Sequence, residues 1–277
     1  MNFRFPLPDV HIALSTEKKQ VENPLYEDEY YKLNQYEFSM NIENAGWFYA
    51  SGGNKVELVL NEGVSQSTLE LYLNGSTYGA ILHQRGILPM HGSCFAFQGK
   101  GIMLCGESGA GKSSLTTAFV LDGNEFLTDD VTPIIFSEGK PQIWAMSDRV
   151  KLWGDSLEQL KQIQKGLDPI DPETEKFYFP LPSSKADSFP LDHIFLLEVQ
   201  ENEEVCFQDL KGAEKLTGLR NEIYRLEYLL GMPENEAKFF PQLAAISKKV
   251  CMTSLIRPRN SLISETKAKL TEYLQSQ

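Results

Sequence analysis

The stretch from Gly101 to Asp130, GIMLCGESGAGKSSLTTAFVLDGNEFLTDD, constrains this chain more than any other. Within it Gly106, Gly111, Lys112 and Ser113 fit the phosphate-loop pattern G-x-x-x-x-G-K-[ST]. The flanks suit the pattern. Ile102, Met103, Leu104 and Cys105 form an apolar run of strand length. Ser113–Leu121 reads as a helix with Leu115, Ala118 and Phe119 on one face. Gly106, Gly109 and Gly111 permit positive φ and close approach of backbone to an anion. The loop Gly106, Glu107, Ser108, Gly109, Ala110, Gly111, Lys112, Ser113 and Ser114 can then turn its N–H groups inward as an anion nest, reinforced by the positive end of the helix. Lys112 brings a mobile point charge to the β- and γ-phosphates, and the Ser113 hydroxyl suits Mg²⁺. The expected ligands are ATP and Mg²⁺. The alternative is a glycine-rich strand–helix turn that binds nothing.

Asp122-Gly123-Asn124 ends the loop helix, and Glu125–Thr128 reads as a short strand. Asp129 and Asp130 stand at its carboxyl end, where ligands collect in open α/β sheets. An Asp pair taken alone also suits a turn or helix cap. Beside a phosphate loop it reads as part of a site.

Composition narrows the function classes. A chain of 277 residues holds a full α/β domain plus a smaller unit, or one large domain, and 42% hydrophobic content is enough for a core. The net charge of −12 argues against nonspecific binding to nucleic acid or an anionic membrane. No apolar run approaches the roughly 20 residues of a membrane helix, and the first residues lack a signal-peptide core, so a cytoplasmic protein is expected. Cys94, Cys105, Cys206 and Cys251 form no C-x-x-C pair and read as buried free thiols rather than a zinc or disulfide framework.

In chain order, residues 1–87 read as a small α+β unit and 88–277 as the phosphate-loop domain with C-terminal helices. The acidic, tyrosine-rich segment 26–36 reads as a solvated surface. FSMNI (38–42), GWFYAS (46–51) and KVELVL (55–60) read as strands, and LELYL (69–73) as another. A helix is expected over 76–85, with Ser76 as N-cap and Gly86 past its end. SCFAF turns back through Gln98–Gly101 onto 102–105. VTPIIF and PQIWAM form a hairpin, 148–153 is a strand, and an amphipathic helix follows near 155–165. Residues 166–191 read as a long proline-rich loop. HIFLLEV (193–199) and VCFQDL (205–210) read as a hairpin. Helices over 211–230 and 233–248, a strand over 250–256 and a last helix over 261–274 complete the chain.

The order of these pieces resembles a known family. A strand beginning His91-Gly92, a hairpin into GESGAGKS, one short helix and the pair Asp129-Asp130 are similar to the catalytic domain of HPr kinase/phosphorylase and its related proteins. RVKLW (149–153), the lysine-containing loop before 193–199 and NEIYR (221–225) fit the group, over roughly residues 88–257. Residues 1–87 do not resemble the N-terminal domain of true HPr kinase, and that enzyme's long signature after the Asp pair is lacking, which speaks against HPr as substrate. Standalone relatives of this kind include kinases of lasso-peptide precursors. The resemblance implies an α/β phosphate-loop kinase acting on a serine of a peptide or protein, and a homo-oligomer. It implies Asp129 as general base, Asp130 holding Mg²⁺ with Ser113, His91 against the acidic pair, and Lys112 on the transferred phosphate. The alternatives are a nucleotide-binding module without transfer and a kinase of a small molecule such as free serine. Arg149 and Lys151 are expected in a packed strand, Lys176 and Lys185 as solvated loop residues that alternatively close over the γ-phosphate. Arg220 and Arg225 are expected in surface ion pairs with Glu222 and Glu227.

Overall fold

A computed structural model describes residues 3–172, 174–201 and 204–277. The chain forms two compact units, Met1–Pro89 with Ile223–Gln242, and Met90–Glu222 with Leu243–Gln277. The change at 89/90 falls beside the 87/88 boundary read from the sequence, but 223–242 returns to the first unit. Strands, helices and mixed pairing together make this an α/β protein.

In the first unit β1 (His11–Leu14), β2 (Tyr26–Glu27), β3 (Tyr31–Leu33), β4 (Glu37–Ile42), β5 (Gly46–Ser51) and β6 (Lys55–Leu60) form one sheet, ordered β1-β6-β5-β4-β3-β2. The segment 26–36 is therefore not a plain surface loop. Tyr31 and Leu33 point into the core, while Tyr30 and Tyr36 stay exposed. LELYL is helical instead of extended. The Ser65 hydroxyl accepts from Thr68 N at 3.0 Å and caps α1 (Gln66–Tyr72). Leu69 and Leu73, four residues apart, are fully buried, which is a helical period. A π turn (Leu73–Thr77) leads into α2 (Tyr78–Arg85), so Ser76 lies inside a continuous helix and is not an N-cap. Gly86 ends that helix in the left-handed region, as read from the sequence.

The chain continues through β7 (Leu88–Phe97) and β8 (Lys100–Gly106), the antiparallel pair expected before the loop. There follow α3 (Lys112–Leu121), β9 (Glu125–Thr128), and the hairpin of β10 (Val131–Ser137) with β11 (Lys140–Trp144). β12 (Arg149–Trp153) and α4 (Gly154–Gln159) come next. The helix expected to reach 165 stops at 159, and Lys161 takes a φ of 55°. The proline-rich stretch is not wholly irregular: β13 (Lys176–Pro180) pairs with β12. Glu173 of that stretch lies outside the described residues. The remaining elements are β14 (Ser188–Gln200), β15 (Cys206–Asp209), α5 (Gly212–Asn221), α6 (Tyr228–Gly231), α7 (Glu234–Lys249), β16 (Cys251–Pro258) and α8 (Ile263–Gln275). The helix expected over 211–230 is broken between α5 and α6, where Arg225 has a φ of 54°.

The main sheet runs β11-β10-β7-β8-β14-β16-β15, with β9 on β7. β14 and β15 are not a hairpin, because β16 lies between them. Burial explains the order. Ile194, Phe195, Leu197 and Leu255 are buried, as central parallel strands require, whereas β15 is largely exposed and suits an edge. β8, β14 and β16 are parallel, so their carboxyl ends share one side. Helices α3 and α8 pack Leu115, Phe119 and Leu270 into a cluster with Phe95, Ile102, Leu104 and Phe195. Phe95 and Phe119 stack at 4.4 Å. That contact fixes α3, and with it the loop at its start. Cys94 and Cys105 are buried as expected, but Cys206 and Cys251 are exposed on their strands. Among the described residues no helix is long and apolar enough to cross a membrane.

Candidate functional site

Backbone geometry shapes the loop first. Gly106 closes β8 at a φ of 127°, and a Cβ there would sit 2.4 Å from Leu197 O on the neighbouring strand. Gly111 stands at the start of α3 with a φ of 104°. Between them the chain folds back tightly enough for the Lys112 ammonium to donate to Gly106 O at 2.6 Å and Glu107 O at 3.0 Å. Glu222 accepts from Gly106 N at 3.1 Å and anchors the first residue of the loop. Burial raises the proton affinity of its carboxyl above the usual range, against the pull of that hydrogen bond. Glu222 was expected in a surface ion pair, and here it supports the loop instead.

The acidic pair sits against the first turn of α3. Ser113 Oγ donates to Asp129 Oδ1 at 2.7 Å, and Lys151 N donates to Asp129 Oδ2 at 3.2 Å. Lys151 Nζ donates to Asp130 Oδ2 at 2.7 Å, and His91 Nε2 lies 3.8 Å from Asp130 Oδ1. Neighbours in a continuous strand would point to opposite faces. A φ of 69° at Asp130 breaks that alternation, and both carboxylates line one cavity. Their proton affinities move apart. Burial, then the charge of Asp130, raises the Asp129 carboxyl above its ordinary range. Burial also acts to raise Asp130, but the Lys151 ammonium, followed by His91, outweighs it and holds that carboxyl well below. Adjacent acids in opposite environments are the usual arrangement for dividing proton transfer from charge stabilisation.

The cavity measures ≈ 240 Å³. His91, Asp129, Asp130 and the loop from Ser108 to Ser114 all line it, while Gly106 and Glu107 do not. Two lysines join them. β12 buries Val150 and Leu152 on one face, and the alternation turns Lys151 and Trp153 to the cavity. Lys151 is thus a site residue as well as part of a packed strand. Lys176, on β13, lines the cavity with its ammonium 5.4 Å from the Trp153 ring centroid. Burial, reinforced by Lys151, lowers its proton affinity. Lys185 is not in the lining; its N–H donates to Glu125. Arg149 instead stacks its guanidinium over Tyr178, 3.9 Å from the ring centroid. Arg225 is 3.6 Å from Glu227 as expected, and it also donates to Ser76 Oγ at 3.0 Å. Arg257, at the carboxyl end of β16, lines the cavity and donates to Ala110 O at 3.0 Å. The sequence reading missed it. A cation ending a strand parallel to the loop strand was the available signal.

Mg²⁺ takes few protein oxygens and completes its shell with phosphate and water. The Ser113 hydroxyl and the two carboxylates offer such a set. Among the described residues no group of three or more His, Cys, Asp or Glu is placed to hold a metal ion.

The sequence matches no protein-family model and no curated protein. Among solved structures it is similar to the HPr(Ser) kinase/phosphatase from Coxiella burnetii, at 11% identity and a TM-score of 0.34, over 68% of this chain and 99% of that one. So distant a likeness leaves the functional reading to the site itself.

Proposed function

We propose that this protein is a Mg²⁺- and nucleotide-dependent kinase that transfers the γ-phosphoryl group of ATP to a serine hydroxyl of a peptide or protein. One observation carries the reading: the Ser113 hydroxyl of the phosphate loop donates to Asp129 at 2.7 Å, and Asp129 and Asp130 line one cavity with Lys112. Phosphoryl transfer asks for positioning, charge neutralisation and one carboxylate on the nucleophile. Asp129, with raised affinity, accepts the serine proton as the new O–P bond forms and the bond to the departing ADP breaks. Asp130 stays ionised and fits a cation. Ser113 and Asp130 would hold Mg²⁺, which neutralises the β- and γ-phosphates when bound. Lys112 leaves the carbonyls of Gly106 and Glu107 for the phosphate oxygens. His91, Lys151 and Lys176 stand where charge accumulates on the transferred group. The peptide or protein acceptor and a homo-oligomeric state rest on the resemblance of motif order.

The test is label transfer. With γ-labelled ATP, Mg²⁺ and serine-containing peptides, label on a peptide serine that disappears with Asp129→Asn supports the reading. Tight nucleotide binding without transfer to any peptide, protein or free serine contradicts it and leaves a binding module.

A further inference from the structure

The cavity has two chemically different ends. Ser113 and Ser114 are successive residues of α3, about 100° apart around the helix. Ser113 faces the acidic pair, donating to Asp129. Ser114 faces away from it, donating to Ser156 Oγ of α4 at 2.9 Å. Beyond Ser114 the lining passes to Gln159, Ile263 and Arg257. Gln159 Oε1 accepts from Ile263 N at 3.1 Å, which joins α4 to the start of α8 and closes a wall.

Arg257 is the unusual residue there. Its Nε donates to Ala110 O at 3.0 Å, and its Nη1 donates to Pro258 O and to Ser261 Oγ, each at 3.3 Å. These acceptors are all neutral, and no carboxylate pairs with it among the described residues. Its Nη2 lies against Gly111, 3.5 Å from where a Cβ would stand. Burial lowers its proton affinity, the signature of a cation short of a counter-charge. In a chain of net charge −12, a partly buried arginine paired with no acid is costly unless an anion completes it.

We propose that Arg257 holds the donor's α-phosphate and that the nucleoside sits beyond it, between Gln159 and Ile263. This rests on the kinase reading above and adds a direction to it. The γ-phosphate lies toward Asp129 and Lys151, because Lys112 serves the β- and γ-phosphates and the transfer acids lie on the Ser113 side. The α-phosphate then falls on the Ser114 side, where the planar guanidinium can take two oxygens. Ile263 supplies an apolar edge for the base, and Gln159 keeps its amide N–H groups for it.

Titration calorimetry separates the possibilities, using Mg-ATP and Mg-pyrophosphate as ligands. Pyrophosphate needs only the β- and γ-positions. Arg257→Gln is expected to weaken Mg-ATP about tenfold or more, the range of one charge-assisted phosphate contact, and to change Mg-pyrophosphate by less than about twofold. Ile263→Trp, which fills the nucleoside end, is expected to give the same selective loss. Equal losses for both ligands in Arg257→Gln would make the arginine a prop for the loop and overturn the inference, as would unchanged Mg-ATP affinity in both variants. A wild-type protein that binds Mg-pyrophosphate but gains nothing from the nucleoside also overturns it, leaving the kinase reading standing. A wild-type protein that binds neither overturns the phosphate-loop reading itself, and this inference with it.

Discussion

Two histidines eight residues apart, His83 and His91, sit in opposite surroundings. His83, in the first unit, is fully buried between the rings of Tyr228 and Phe239, each with centroids 5.5 Å away. Its Nε2 meets Tyr224 O at 2.9 Å, and Asn235 donates to its backbone carbonyl. No charge is near it on these contacts, and burial lowers its proton affinity to about 4. His91, in the second unit, is a third exposed and faces a carboxylate held in place by a lysine. Around His83 one ring nitrogen meets a backbone carbonyl, the other has no hydrogen-bond partner, and aromatic rings close over both. Around His91 ionised groups stand beside an open cavity, where each displaces its neighbours' proton affinities. Around His83 polarity is architecture; around His91 it is available for chemistry.

That contrast is broken most strongly by removing the loop cation. Lys112→Ala is expected to weaken nucleotide binding about 100-fold and to reduce transfer below detection, measured by calorimetry and label transfer, with the first unit's fold unchanged. Next comes Gly106→Ala. A Cβ 2.4 Å from Leu197 O at positive φ is expected to cost about 3 kcal/mol in denaturant unfolding and to disrupt the loop. If Gly106→Ala left both stability and nucleotide affinity intact, the loop geometry would not be what positions the site.

The remaining predictions sharpen the contrast through pH. His83 binds its proton less tightly folded than unfolded, so its contribution is complete above the unfolded value near 6.5 and is lost as pH falls toward 4. That window is worth roughly 3 kcal/mol at most, from 1.36 kcal/mol per pH unit. A thermal-unfolding series is expected to drop over this range and to flatten in His83→Gln. The smallest effect is on the acids. Lys151→Met removes the ammonium that keeps Asp130 ionised, so the acid limb of the transfer profile is expected to move to higher pH. An unmoved limb would mean that Lys151 does not set the charge of the pair.

Much of the site was legible because its signals are local. Gly106 to Ser114 and Asp129-Asp130 carry their chemistry in spacing alone, and the structure brings Ser108 to Ser114 and both acids to one cavity with His91. What was missed depends on contacts distant in sequence. Lys151 belongs to an apolar alternation that correctly reads as packed strand, and only the topology shows which way its odd position points. Glu222 and Arg257 reach the loop from residues more than 100 positions away. The same holds for the fold. The hairpin of β7 and β8 was readable from a four-residue turn, but the insertion of β16 between β14 and β15 is a long-range pairing that two adjacent apolar runs concealed. LELYL failed differently: five residues fit both periods, and the Ser65 cap decided for helix.

In the proposed reaction Asp129 receives the acceptor's proton while Asp130 stays ionised. The most direct test is to measure nucleotide binding and serine label transfer on the same preparation of Asp129→Asn. The account expects nucleotide affinity within about threefold of wild type and transfer lower by roughly 10³, the range of a lost general base. Burial disfavours the charge on Asp129, so the same variant is expected to unfold at higher temperature at neutral pH. Full transfer by Asp129→Asn would contradict the account.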